Sequence, residues 1–304
     1  MRQSEERYIS LLTDFGFKRI FGTDPNKDLL INFLNSLFNG EEVIKDVRYL
    51  NSENVGDVYT ERKAIFDVYC ENERGEKFIV EMQNAYQTFF KDRSLFYSTF
   101  PIREQAPKSS DWNFCLKKVY VVALLNFKMS DEAFDSSDTI HTIALMDTKT
   151  NKVFNAKLMF KYVEVGRFDK ADNELTSLSD KWMYVLKNLS RLDNRPAALR
   201  EKIFTKLFDA AAIARFSPTE LREYEDSLKA YRDIKNSLDT AKAEGRAEGR
   251  AERRAEGRAE GRAEGRAEGR AEVAKTMMEK GMDVKIIASL TGLSEEEIKS
   301  LSKK

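Results

Sequence analysis

At 304 residues, with 41% hydrophobic and 11% aromatic content, the chain can bury a full core and carry an appendage beside one substantial domain. Its 51 basic and 51 acidic residues leave a net charge of zero, which argues against a protein that grips nucleic acid by charge alone. No apolar run approaches the roughly 20 residues of a membrane span and the start MRQSEER is unlike a signal peptide, so a cytoplasmic protein is expected. Cys70 and Cys115 lie in apolar runs and read as buried reduced thiols rather than a disulfide framework. The one histidine, His141, falls in an alternating apolar run and reads as a packed strand residue, which argues against histidine-based catalysis.

In chain order, Ser4 to Phe21 has the spacing of one amphipathic helix or two short ones, with Thr13 or Asp14 able to cap a turn carrying Phe15, Phe17, Ile20 and Phe21. Helical spacing resumes from Asn26 to Phe38 and stops at Asn39-Gly40. Val43 to Leu50 predicts a first strand and Asn51 to Asp57 a loop.

The stretch Ile65 to Gln83, IFDVYCENERGEKFIVEMQ, sets two apolar runs around the polar cluster Asn72-Glu73-Arg74-Gly75, the mark of a hairpin with a bulge glycine. If residues 73 to 75 form the loop, Asn72 pairs with Glu76 and Asp67 falls opposite Glu81. Strand parity then puts Glu81, Gln83 and Asp67 on one face, with Val80 and Met82 on the other. Opposed carboxylates repel. Two carboxylates beside an amide oxygen or backbone carbonyl are hard ligands suited to Mg²⁺ or Mn²⁺, and a metal held there could activate water and clamp a phosphodiester. The bland alternative is a pair of solvated surface acids.

Beyond Gln83, Phe89, Phe90, Arg93, Phe96, Tyr97 and Phe100 repeat at helical spacing, and Pro101 is expected to end or bend the helix. The aromatics read as packing on the sheet, with base stacking the lesser option. Arg93 needs a reason within an apolar stripe: an ion pair with the carboxylates, or a phosphate contact. Val119 to Phe127 reads as a strand covered on both faces, with Thr139 to Met146 and Val153 to Val165 as further strands of a mixed α/β sheet. Leu178 to Leu192 and Ala197 to Phe208 are helical, and Ser217-Pro218-Thr219-Glu220 starts a helix running to about Thr240.

From Ala243 to Glu272 the chain is nearly pure Ala-Glu-Gly-Arg. A four-residue period keeps no side chain on one face, like charges recur at i+4, and each Gly costs about 1 kcal/mol against Ala, so a solvated, partly helical spacer is expected ahead of a coiled coil. Three short helices follow. IIASLTGLSEEEIKSL has a helix-turn-helix rhythm, but the acidic front of its second helix suits a small packing or oligomerisation cap better than a major-groove reader.

The pattern D-x(13)-E-x-Q from Asp67 through Glu81 to Gln83, preceded by TDFGFKRIFG and followed by FFKDRSLFYS, resembles the PD-(D/E)xK nuclease family transposases, the Rpn-type recombination-promoting nucleases, over about Leu12 to Phe127. The resemblance implies a restriction-endonuclease-like α/β core, a mixed sheet flanked by helices, with a helical C-terminal extension. It also implies Mg²⁺- or Mn²⁺-dependent endonucleolytic cleavage of DNA and a link to mobile elements. Asp67 and Glu81 would be the metal ligands, and Gln83 stands where most of the superfamily carries lysine, so Arg93 and Lys18 become candidates for the missing charge. Asp14 matches an acidic position opening the family's first helix, where it either approaches the metal or, the preferred role, caps the helix. The expected organisation is a nuclease-like domain over 1–170, a helical region over 171–240, the repeat over 241–272 and a helical cap over 273–304, with a homo-oligomer formed through the tail. A binding or assembly protein on an inactive nuclease-like fold, and a nuclease acting on RNA, are the alternatives.

Overall fold

The computed structural model describes residues 6–54, 64–106, 112–129, 134 and 137–301, and the chain divides into two compact units, Met1–Asn236 and Ser237–Lys304. The first begins without the early helix that its spacing predicts. Residues 7–13 are not helical, because their backbone is claimed elsewhere: Ile9 N–H donates to Ala211 O at 3.0 Å, Ile213 N–H donates to Arg7 O at 3.1 Å, and Tyr8 bridges Ala212. Helix α1 (Asp14–Phe21) starts only after Thr13, whose hydroxyl accepts from Gly16 N–H at 3.1 Å. Thr13, not Asp14, is therefore the cap. Helix α2 (Lys27–Phe38) buries Leu29, Leu30, Phe33, Leu34, Leu37 and Phe38, and ends where Asn39 and Gly40 turn to positive φ.

Strand β1 (Val47–Tyr49) is shorter than the apolar run suggests, and β2 (Glu53–Asn54), within the expected loop, pairs with β3 (Ala64–Ile65); the end of that loop, residues 55–57, lies outside the described residues. The hairpin of β4 (Val68–Asn72) and β5 (Lys77–Gln83) has the register deduced from the loop: Val68 faces Val80, Cys70 faces Phe78 and Glu71 faces Lys77. Asn72 N–H donates to Glu76 O at 3.0 Å, and Gly75 sits at φ 73°. A Cβ there would meet only the Lys117 side chain at ordinary contact distance, 3.9 Å, so Gly75→Ala should cost only the left-handed backbone penalty, about 1–2 kcal/mol, readable in urea unfolding.

After α3 (Phe90–Arg103) come β6 (Val119–Leu125), β7 (Ile140–Met146) and β8 (Val153–Val163), then α4 (Leu178–Asn188), α5 (Lys202–Ala211) and α6 (Pro218–Glu279). Six strands form one mixed sheet in the order β1-β4-β5-β6-β8-β7, with β5, β6 and β8 parallel, so their carboxyl ends share one edge. Helices pack on both faces. Phe17, Phe33, Trp182 and Phe204 meet Val68, Phe78, Val80 and Tyr120 on one side, which places residues 171–236 in the same core as the N-terminal half. Phe66, Tyr69, Ile79, Phe90, Phe100 and Val121 form the core on the other. His141 is a packed strand residue: its Nε2 lies 2.8 Å from Oε1 of the fully buried Glu164, which Arg167 also pairs. Of the two free cysteines Cys70 is buried, whereas Cys115 is exposed, contrary to its apolar neighbours.

Helix α3 departs most from its pattern. Pro101 lies inside it and the helix runs two residues further. It buries Phe90, Ser94, Ser98, Phe100 and Pro101, with Ser94 Oγ 2.6 Å from the Tyr162 hydroxyl, while Phe89 is 72% and Phe96 44% exposed. Small serines let the helix sit close to the sheet, so Phe90 and Phe100 of the aromatic stripe are buried while Phe89 and Phe96 are left outside.

In the second unit, the rest of α6 includes the whole Ala-Glu-Gly-Arg repeat. The repeat is helical throughout rather than partly so. It extends a helix already nucleated and capped at Ser217-Pro218, so it escapes the nucleation cost that makes such a sequence weak in isolation. Helices α7 (Val284–Thr291) and α8 (Glu295–Leu301) complete the unit around Ala274, Ile287 and Ile298. Asp283 caps α7, and Ser294 with Glu297 forms a reciprocal cap on α8.

Candidate metal centre

Asp67, just before β4, and Glu81, near the end of β5, come together as the hairpin register requires. Each carboxylate is tied to the backbone beside the other: Asp67 Oδ2 accepts from Met82 N–H at 2.8 Å and Glu81 Oε1 accepts from Asp67 N–H at 3.2 Å. Val80 packs in the opposite core from Ile79, so alternation sets Glu81 and Gln83 on the α3 side of the sheet. Glu81 is only 8% exposed and Gln83 9%. These are not solvated surface acids. Among the described residues neither carboxylate has an ion pair, and the Gln83 side-chain amide has no hydrogen-bond partner.

A buried acid that faces a second, half-buried one without an ion pair shifts its protonation. Burial, then the charge of Asp67, pushes Glu81 well above the usual carboxylate range, against the pull of Arg93 and Lys18. Asp67 is also raised, by burial first and by Asp14, against the Met82 amide, Lys18 and Arg93. A raised folded-state pKa favours folding below the unfolded value and loses that contribution as pH rises through the folded one. The melting temperature of metal-free protein, measured as the difference from Glu81→Gln, should therefore fall between about pH 5 and pH 8. Saturating Mg²⁺ or Mn²⁺ should remove most of that fall in scanning calorimetry.

The donor set fits a hard divalent cation. Among the described residues no three His, Cys, Asp or Glu side chains cluster as a metal cage. Mg²⁺ does not need one, since one or two carboxylates with waters and substrate phosphate complete its shell. A cation would supply the charge that the Asp67–Glu81 pair lacks, and the unpartnered Gln83 amide would gain a neighbour to bond.

The other expected residues surround the pair without touching it. Asp14, exposed in the first turn of α1, binds Lys18 Nζ at 2.8 Å. Burial pulls the Lys18 pKa down, but the bond and charge of Asp14, with Asp67 and Glu81, outweigh it and raise it. Asn84, directly after β5, donates to Leu12 O at 2.8 Å and so fastens the approach to α1 against this end of the sheet. Arg93 does not form the expected ion pair; its guanidinium donates to Gln87 Oε1 at 2.7 Å and lies over the rings of Phe90 and Tyr97. Tyr97 packs on Phe66, as its place in the aromatic stripe suggests, and burial and then the charge of Glu81 raise its hydroxyl pKa.

A family model described as PD-(D/E)XK nuclease family transposase matches residues 11–241. Residues 267–303 match a second, described as Rpn/YhgA-like nuclease family, C-terminal HTH domain. The helix-turn-helix rhythm in the tail is thus the feature that match describes; the acidic first turn of α8, Glu295 to Glu297, is also present. No curated protein and no solved structure matches the chain. With more than two-thirds of its length matched, and a mixed sheet flanked by helices that carries the Asp67–Glu81–Gln83 pattern, the chain belongs to the PD-(D/E)XK nuclease family transposases.

Proposed function

We propose that the first unit is a metal-dependent DNA endonuclease that hydrolyses phosphodiester bonds, working on mobile-element or recombining DNA inside the cell. The observation that carries this reading is the pair of buried Glu81 and half-buried Asp67, neither in an ion pair among the described residues, tied to the Asp67 and Met82 amides respectively. A buried acid facing a second acid is costly unless a cation joins them, because burying an unpaired charge costs several kcal/mol. When bound, Mg²⁺ or Mn²⁺ supplies Lewis-acid polarisation of the phosphoryl group and acidifies water. Asp67 and Glu81 hold it in place. Gln83 orients water or a phosphate oxygen through its amide but brings no charge. That charge comes from Arg93 and from Lys18, which Asp14 positions. No helix among the described residues is long and apolar enough to cross a membrane. The tail is assigned to self-association, into a dimer, on the strength of its exposed Val273, Ile286 and Leu290 and its acidic α8 front, which would repel a DNA groove.

The test is cleavage of supercoiled plasmid by purified protein in Mg²⁺ and in Mn²⁺, beside Asp67→Ala. Cutting by wild type alone supports the reading. Equal cutting by both proteins, in preparations cleared of contaminating nuclease, would remove Asp67 from the site; absence of cutting by wild type would favour an assembly protein on an inactive fold.

A further inference from the structure

The outward turn of α3 needs an explanation. Tyr86 and Phe89 lie in the six residues that follow Gln83, and Phe96 lies two turns further along the helix; all three are exposed, Phe89 most of all. Phe89, Arg93 and Phe96 follow one another at i, i+4 and i+7, so they share one helix face. Arg93 donates to Gln87, four residues beyond Gln83 at the end of β5, and lies over the rings of Phe90 and Tyr97, so that face adjoins the carboxyl end of the strand that carries Glu81. Tyr86 is held edge-on against Phe127, with ring centres 5.6 Å apart, and Phe96 edge-on against Phe100 at 5.2 Å. The rings of Tyr86 and Phe96 are thus braced from one side and open on the other. The same helix buries Ser94 and Ser98. Leaving Phe89 and Phe96 in solvent while Ser94 and Ser98 are buried beside Phe90 and Phe100 runs against what burial alone would select.

We propose that Tyr86, Phe89 and Phe96, with Arg93 between the last two, form a stacking platform for unpaired nucleobases, and that the substrate of the adjoining site is single-stranded or locally melted DNA. The proposal rests on the nuclease reading for its substrate, and it resolves a difficulty of that reading. A chain with zero net charge has no excess of cations with which to hold a duplex through its phosphates. Aromatic faces bind bases without regard to sequence and without needing net charge, but only where the bases are unstacked from a partner strand. From Phe89 to Phe96 the helix advances about 10 Å, the reach of roughly three nucleotides at 3.4 Å per base. Arg93 is placed to meet a phosphate or to stack in turn.

The experiment measures binding apart from cleavage. Full-length Asp67→Asn protein, without added metal, is titrated by fluorescence anisotropy against a labelled 20-nucleotide single strand and against the blunt duplex of the same sequence. The expected result is at least 10-fold tighter binding of the single strand. Adding Phe89→Ala and Phe96→Ala together should weaken it at least 10-fold while leaving the melting temperature nearly unchanged, since both rings are already exposed, and Phe89→Tyr should retain it. Equal binding of strand and duplex, or single-strand binding indifferent to the two alanines, would overturn the platform even if wild type cuts DNA. Aromatic-dependent binding of the single strand by a protein whose wild type cuts nothing would support the platform and remove the nuclease.

Discussion

Glu81→Gln should do two opposite things: lower Mg²⁺-dependent cleavage by at least about 10²–10³-fold, and raise the melting temperature of the metal-free protein. The first follows from the loss of a charged oxygen that the reading assigns to the cation, of the size seen when one preorganised electrostatic element is removed. The second follows from what Glu81 costs the fold. It is buried, it faces Asp67, and burial with that charge raises its pKa. Each unit of raised pKa is about 1.4 kcal/mol against the ionised form, so even one unit gives a gain of about 3–6 °C in a domain of this size. Glutamine keeps the shape and can still accept from the Asp67 amide, which contacts Glu81 Oε1 at 3.2 Å. The gain should be present near pH 8 and vanish near pH 4, where the acid is protonated in both folded and unfolded chains. A structural acid would behave otherwise: its removal would lower stability and leave cleavage intact.

Gly16→Ala should be among the most damaging single-methyl changes in the chain. The reason is space rather than backbone freedom. A Cβ on Gly16 would lie 2.1 Å from the Ser10 carbonyl oxygen and 2.8 Å from Thr13 Oγ1. Neither atom is free to give. Ser10 O accepts from the Thr13 hydroxyl at 2.7 Å, and the Ser10 amide donates to the Tyr224 hydroxyl at 3.0 Å. The methyl must push apart the cap of α1 and the segment that Asn84 fastens to the end of β5. Overpacking of this kind costs about 3 kcal/mol, a fall of about 6–12 °C in melting temperature. Because Asp14 and Lys18 stand on the same helix, cleavage should fall by more than the folded fraction accounts for, which an assay at low temperature would separate.

The hairpin and the carboxylate pair were legible in the sequence because both depend on local rules. One glycine with a positive φ fixed the loop, the loop fixed the register, and parity fixed the face. The fully buried β6 was legible for the same reason, as an unbroken apolar run containing β-branched residues. Three features were not. The extended segment before α1 takes its partners from residues 211 and 213, about two hundred positions away, and no local pattern announces them. The rotation of α3 is set by Ser94 reaching Tyr162, a contact invisible to a count that scores serine as polar and phenylalanine as core. The repeat was judged as an isolated peptide, whereas it continues a helix that starts at Pro218. In the site, Asp14 pairs with Lys18 while Thr13 caps α1, and the Arg93 guanidinium bonds Gln87 rather than a carboxylate, choices of partner that spacing alone does not fix.

The central claim is that Asp67 and Glu81 form a divalent-metal site, and calorimetric titration of Mn²⁺ into wild type, Asp67→Asn and Glu81→Gln, in two buffers of different ionisation enthalpy near pH 7, tests it most directly. The account predicts saturable binding by wild type with net proton release, because ligands held partly protonated must ionise to bind, and none by either variant. Equal binding by all three proteins, or none by wild type, would contradict it.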